Sequence, residues 1–123
     1  MFLGDIVGRS GRQIVLSQVP QLRQKLALDF VVANGENAAG GFGINASILE
    51  DLYEVGVDVV TLGNHAFDQR EITDILPSDI RLVRPINYPA GTPGRGATLI
   101  EGNGRNVLVI NVMGRLFMDP LDD

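Results

Sequence analysis

Five side chains fit for metal or proton chemistry stand just beyond three apolar runs. Asp5 follows Phe2-Leu3, Glu36 and Asn37 follow residues 30–33, and Asn64 and His65 follow residues 59–62. Asp5 and Glu36 are hard oxygen donors, Asn64 presents an amide oxygen, and His65, the only histidine, presents an imidazole. A mixed oxygen and nitrogen set of this kind suits manganese, iron or zinc better than calcium or magnesium, which prefer oxygen alone. In two-metal hydrolysis one carboxylate bridges the ions, which activate water and neutralise a phosphoryl oxygen. Such a centre takes about eight ligand positions or more, so the residues countable here make half of one.

Each signal also has an ordinary reading. An aspartate after a strand is often a turn or helix cap, Asn34-Gly35-Glu36-Asn37 alone is a turn sequence, and a single histidine is often a hydrogen-bonded core residue. Together they weigh more. Loops leaving the carboxyl ends of parallel strands converge on one edge, and open α/β sheets bind their ligands there.

The elements that must position these residues are read from periodicity. Apolar β-branched residues over 57–62 predict a strand buried on both faces, ended by a tight turn at Gly63. Residues 30–33 predict a second strand, and Met1-Phe2-Leu3, ahead of Gly4-Asp5, a short first one. Ile14, Val15, Val19, Leu22 and Leu26 recur at the helical period, which predicts a helix capped at Ser10 and kinked or divided at Pro20. Between residues 34 and 44, Gly35, Gly40, Gly41 and Gly43 predict a backbone that passes close to a neighbour or takes positive φ. Ile48, Leu49, Leu52 and Val55 give a second helix, capped at Asn45 or Ser47 and ended by Gly56. A short third helix over 69–76 stops at Pro77. Residues 81–83 form a short strand and 84–96 a long proline- and glycine-rich loop. Residues 97–101 and 106–112 are then two strands of a hairpin, joined by Gly102-Asn103-Gly104-Arg105.

Strands and helices in alternation, with right-handed crossovers, predict an α/β three-layer sandwich whose mostly parallel sheet is followed by an antiparallel hairpin. Leu116, Phe117, Met118 and Leu121 then follow with no element to bury them. Residues 1–123 are therefore expected to be the N-terminal part of a single domain, truncated and without a second domain. An apolar surface left open in this way is expected to bring copies together as a homo-oligomer.

Composition narrows the classes of function. A chain of 123 residues has room for one core. A net charge of -5 excludes generic DNA binding, which needs a basic stripe to neutralise phosphates, although bound cations reverse the local sign at a carboxylate site. The absence of cysteine removes disulfides, zinc-thiolate clusters and thiol nucleophiles. No apolar run nears the roughly 20 residues that span a bilayer, and no charged-then-apolar leader opens the chain. No membrane partner is expected, and the expected location is cytoplasmic. Arg9, Arg12, Arg84, Arg95 and Arg115 are candidates for phosphate, although scattered arginines are usually solvated or ion-paired. Phe42, Phe67 and Tyr88 are candidates for stacking on a base, although packing is the commoner role of an aromatic. There is no glycine-lysine phosphate loop, and Gly4-Asp5-Ile6-Val7-Gly8 lacks the dinucleotide glycine spacing.

Four segments, taken together, resemble the YmdB-like branch of the calcineurin-like metallophosphoesterases over essentially the whole chain. They are Gly4-Asp5-Ile6-Val7-Gly8, Asn34-Gly35-Glu36-Asn37-Ala38-Ala39-Gly40-Gly41-Phe42-Gly43, Thr61-Leu62-Gly63-Asn64-His65, and Arg84-Pro85 with Gly91-Thr92-Pro93-Gly94-Arg95-Gly96. The resemblance implies a sandwich of the metallophosphoesterase type and a dinuclear centre of transition-metal ions, iron or manganese. It also implies phosphodiesterase activity on small phosphoesters such as 2′,3′-cyclic nucleotides. It makes Asp5 a ligand of the first metal, Glu36 the bridging carboxylate, and Asn37 and Asn64 further metal-site amides. His65 becomes the proton donor to the leaving alkoxide as a metal-bound hydroxide attacks phosphorus, a step an imidazole suits because it titrates near working pH.

Val7 stands where the wider superfamily has a histidine and Glu36 where it has a bridging aspartate, both as in this branch. The departure from the branch is that no histidine follows His65 to supply the ligands implied from a C-terminal half. Two other readings compete. One is a nucleotide-binding or regulatory module that keeps the pocket without turnover. The other is a flavodoxin-like domain binding an anion at its helix N-termini, which leaves Glu36 facing that anion with no cation between them.

Overall fold

The computed structural model describes residues 1–118 and Leu121. β1 (Phe2–Asp5), β2 (Val32–Asn34), β3 (Val59–Thr61) and β4 (Leu82–Val83) form one sheet in the order β1-β2-β3-β4, each pair parallel. α1 (Gly8–Lys25), α2 (Ala46–Glu54) and α3 (Ile72–Ile75) make the crossovers. Successive strands lie side by side, and right-handed crossovers between them all return on the same side. The three helices therefore share one face of the sheet. The register agrees: Leu3, Ala33, Val60 and Leu82 align across the strands and pack with Val19 of α1, Leu49 and Leu52 of α2 and Ile72 of α3.

Phe2, Val32 and Val59 align on the other face, with Asn34, Thr61 and Val83 one step further along. Over this face lies an antiparallel hairpin of β5 (Ala97–Gly102) and β6 (Arg105–Ile110). Arg105 pairs with Asp29 at one end of the sheet (2.6 Å), while Asn111 bonds the Leu62 and Val83 carbonyls at the other. Helices, sheet and hairpin make the three expected layers. Val59 and Val83 are wholly buried, whereas Phe2 is 64% exposed. A groove of about 540 Å³ opens there, lined by Phe2, Val32, Thr61 and residues 108–112.

Several local expectations are corrected. α1 begins at Gly8, before Ser10, and its cap position is Val7, which makes no side-chain cap; the Gly8 N–H is met instead by the Asn37 carbonyl at 3.0 Å. Pro20 does not divide α1, which runs through it as one element. Pro20 itself is exposed, and it removes one donor, the one that would meet the Leu16 carbonyl, from an 18-residue helix. β2 and β3 are three residues each, shorter than their apolar runs, and the third helix is a single turn. The residues before that turn close three-residue bonds, Ile72 to Gln69 and Thr73 to Arg70, in place of helical ones. The hairpin turn is the two-residue Asn103-Gly104, with φ of 51° and 71°, tighter than the four-residue connection expected.

Other expectations hold. Asn45 caps α2, accepting from the Ile48 N–H at 2.9 Å. Leu116 and Phe117 are 78% and 96% exposed. Residues 119, 120, 122 and 123, part of the expected unburied tail, lie outside the described residues. Among the described residues no helix is long and apolar enough to cross a membrane.

Candidate functional site

The carboxyl ends of β1, β2 and β3 bring the candidate residues to one edge. Asp5 closes β1 opposite Asn34, and the chain leaving β1 follows the next loop, with the Ile6 N–H donating to the Asn34 carbonyl at 3.0 Å. Asn37 reaches back across this junction, and its amide nitrogen donates to both Asp5 oxygens at 2.9 Å. Glu36 is held by its own backbone. Its N–H donates to the Asn34 side-chain oxygen at 3.3 Å, and its carbonyl accepts from the Gly43 N–H at 2.6 Å. The Gly43 bond needs the left-handed backbone that glycine permits, and Gly40, Gly41 and Gly43 have φ of 71°, 96° and 77°.

The Glu36 carboxylate lies directly over Gly63, where a Cβ would stand 2.1 Å from Oε2. Gly63 does not have positive φ, so its service at the end of β3 is space for the carboxylate and not the left-handed turn for which glycine is usually needed. Just beyond, the His65 N–H points at Glu36 Oε2 over a long 3.5 Å. The His65 ring is fixed twice. Its Nδ1 meets Asp68 Oδ2 at 2.6 Å, and it forms a T-shaped pair with the Phe42 ring at 5.4 Å between centroids. A carboxylate partner places the proton on Nδ1 and leaves Nε2 as the working nitrogen. Asn64 is exposed beside it.

Three supports were not assigned from the sequence. Asp68 is the partner of His65, and the only signal for it is a carboxylate three residues after a histidine at a turn. Asn111 donates to the Leu62 and Val83 carbonyls, at 2.5 Å and 3.1 Å, and so fixes the strand end that leads into Gly63. Tyr88 rests against Phe67 and its hydroxyl donates to the Gly63 carbonyl at 3.4 Å, which gives the long loop its place beside the site.

Among the described residues the ion pairs are Arg23–Asp58, His65–Asp68 and Arg105–Asp29, and neither Asp5 nor Glu36 takes part in one. Two carboxylates on one edge, flanked by amides and with no ion-pair partner among the described residues, are the donor set that a hard or borderline cation accepts. No three His, Cys, Asp or Glu side chains gather among the described residues. These donors therefore fit part of a coordination shell. Two of the five candidate phosphate arginines are engaged elsewhere. Buried Arg84 donates to the Pro85, Thr92 and Pro93 carbonyls, and Arg12 to the Ala38 carbonyl, so both hold loops in place.

Known proteins share both the sequence and the fold. A 2′,3′-cyclic-nucleotide 2′-phosphodiesterase of Bacillus subtilis (strain 168) is 46% identical over 123 residues, which is all of this chain and 47% of that protein. A crystal structure of a hypothetical protein from Thermus thermophilus superposes with a TM-score of 0.93 at 48% identity, covering 99% of this chain and 47% of the other. The crystal structure of a Mycoplasma pneumoniae phosphatase gives 0.84 at 33% identity, covering 92% of this chain and 42% of the other. The chain thus spans about half the length of the relatives it matches. A family model described as YmdB-like protein matches residues 1–123, and the chain belongs to that family.

Proposed function

We propose that the edge formed by Asp5, Glu36, Asn37, Asn64 and His65 belongs to a metal-dependent phosphodiesterase that hydrolyses small phosphoesters such as 2′,3′-cyclic nucleotides. The observation that supports this reading most is the seating of Glu36 over Gly63. It sets a carboxylate that has only long hydrogen bonds, from the Asn34 amide and the His65 N–H at 3.5 Å each, and no ion-pair partner among the described residues, near the His65 turn. The relatives named for phosphodiesterase and phosphatase activity support it as well.

Asp5 and Glu36 would hold the metal with their carboxylates, and Asn37 and Asn64 with amide oxygens. When bound, metal ions supply an activated water and charge neutralisation at the phosphoryl group. His65, held through Nδ1 by Asp68, would present Nε2 to the leaving oxygen and, with both ring nitrogens protonated, give up the Nε2 proton that an alkoxide needs to depart, which leaves the Nδ1–H tautomer facing Asp68. Residues 1–123 contribute one part of a single catalytic domain.

The test is to measure metal content and hydrolysis in the protein that carries these residues. Glu36→Ala loses metal and activity together. His65→Ala keeps metal but loses a factor of roughly 10² to 10⁴ on a 2′,3′-cyclic nucleotide, and much less on a nitrophenyl ester, whose leaving group needs little protonation. Loss of metal from His65→Ala, or equal slowing of both substrates, rejects the proton-donor role. Retention of metal without any turnover favours the binding module.

A further inference from the structure

We propose that Phe42 is the platform on which the base of a nucleotide substrate stacks; this rests on the phosphodiesterase reading and adds the residue that prefers nucleotides over other phosphoesters. Three aromatic residues surround the site, but they are not equivalent. Phe67 and Tyr88 pair with each other at 5.4 Å and are half-buried, whereas Phe42 is 61% exposed. A ring that serves packing is drawn inward; this one is held outward.

The loop fixes it there from the backbone. The Phe42 carbonyl accepts from Gln69 Nε2 at 2.7 Å, its N–H donates to the Ala39 carbonyl at 3.4 Å, and the next residue is tied to the Glu36 carbonyl. The ring meets His65 at an interplanar angle of 84°, a T-shaped contact that covers at most one of its two faces. A phosphoester lying between Glu36 and His65 carries its base one ribose away, which is the reach of a ring touching His65. Every base has a π face, so stacking here favours nucleotides while discriminating little among the bases.

The test is calorimetric titration of the chain with adenosine 3′-monophosphate and with ribose 5-phosphate, both in the presence of Mn²⁺. The wild-type chain prefers the nucleotide by about 5- to 150-fold, the range that base–aromatic stacking supplies. Phe42→Ala brings the ratio of the two affinities close to one, and Phe42→Trp restores it. Because the side chain is largely exposed, the alanine variant keeps its core. An unchanged ratio in Phe42→Ala, or a wild-type chain that shows no preference or binds neither compound, overturns the proposal. Hydrolysis of 2′,3′-cyclic AMP by the protein that carries these residues separates the two readings. If hydrolysis persists while the ratio ignores Phe42, only the stacking role fails. If the ratio depends on Phe42 but nothing is hydrolysed, only the phosphodiesterase reading fails.

Discussion

Gly63→Ala adds one methyl group at the point where the account is most exposed. The new Cβ would stand 2.1 Å from Glu36 Oε2 and 2.5 Å from both Oε1 and Cδ, and these are the three nearest atoms. Ordinary contacts lie at about 3.5 Å, so the carboxylate must withdraw by an ångström or more. Gly63 has no positive φ, so alanine brings no left-handed strain and the penalty is one of overlap. Overpacking costs about 1 to 3 kcal/mol in a well-packed core, and the low end of that range applies here, because the overlapping atoms are the far end of a flexible side chain that can swing aside. Removing the Glu36 side chain removes the overlap. A four-way set of urea titrations on wild type, Gly63→Ala, Glu36→Ala and the double variant should show Gly63→Ala as costly alone and nearly neutral beside Glu36→Ala. The coupling should be about 1 kcal/mol or more, beyond the roughly 0.5 kcal/mol within which independent sites add. In the protein that carries these residues, a carboxylate misplaced by about 1 Å should lower turnover by around 10². Equal cost of Gly63→Ala in both backgrounds would refute the seating of Glu36 on Gly63.

Asp68→Asn removes the carboxylate 2.6 Å from His65 Nδ1 and frees the imidazole tautomer; the fold should persist while hydrolysis of an alkoxide-leaving substrate falls by up to about 10², and a nitrophenyl ester falling equally would contradict this. Burial, and then the hydrogen bond to Asp79, push the Tyr53 phenol well above its usual range. The folded chain keeps that proton when the unfolded chain loses it, so the stabilisation is complete below about pH 10 and is lost as pH rises beyond it. Thermal melts on the alkaline side should therefore fall more steeply for wild type than for Tyr53→Phe, and parallel curves would dismiss the assignment. Phe2, Leu108, Ile110 and Val112 are 64%, 59%, 55% and 66% exposed around the open groove. Light scattering should show concentration-dependent association that Leu108→Lys with Ile110→Lys reduces, and a wild-type chain that stays monomeric at every concentration would contradict it.

The parallel core was legible because buried strands write themselves as apolar runs and each run here ends in glycine or polar residues. Asp5, Glu36 and His65 stand out for the same reason: strand mouths are marked locally, and parallel strands bring their mouths together. What was not legible depends on partners distant in sequence. The start of α1 is set by a carbonyl at Asn37, not by Ser10, and Asn111 finds the end of β3 from 49 residues away. At Pro20 the expected division of α1 does not occur, because the proline removes a single donor from an 18-residue helix at an exposed position. Gly63 was read as a turn residue. Its open side is filled by a side chain from another loop, and no local pattern announces such a contact. Arg84 was weighed as a phosphate ligand, but proline and threonine carbonyls of its own loop take its donors.

Under the proposed function Asp5, Glu36, Asn37 and Asn64 form one cation-binding edge. The most direct measurement is paramagnetic broadening of backbone amide signals as substoichiometric Mn²⁺ is added to isotope-labelled chain. The account predicts that signals around residues 5–6, 36–37 and 63–65 broaden first and together, while those near the exposed carboxylates Asp51 and Asp74 on the helices persist. Broadening that starts at Asp51 or Asp74, or that reaches Asp5 without Glu36 and Asn64, would contradict it.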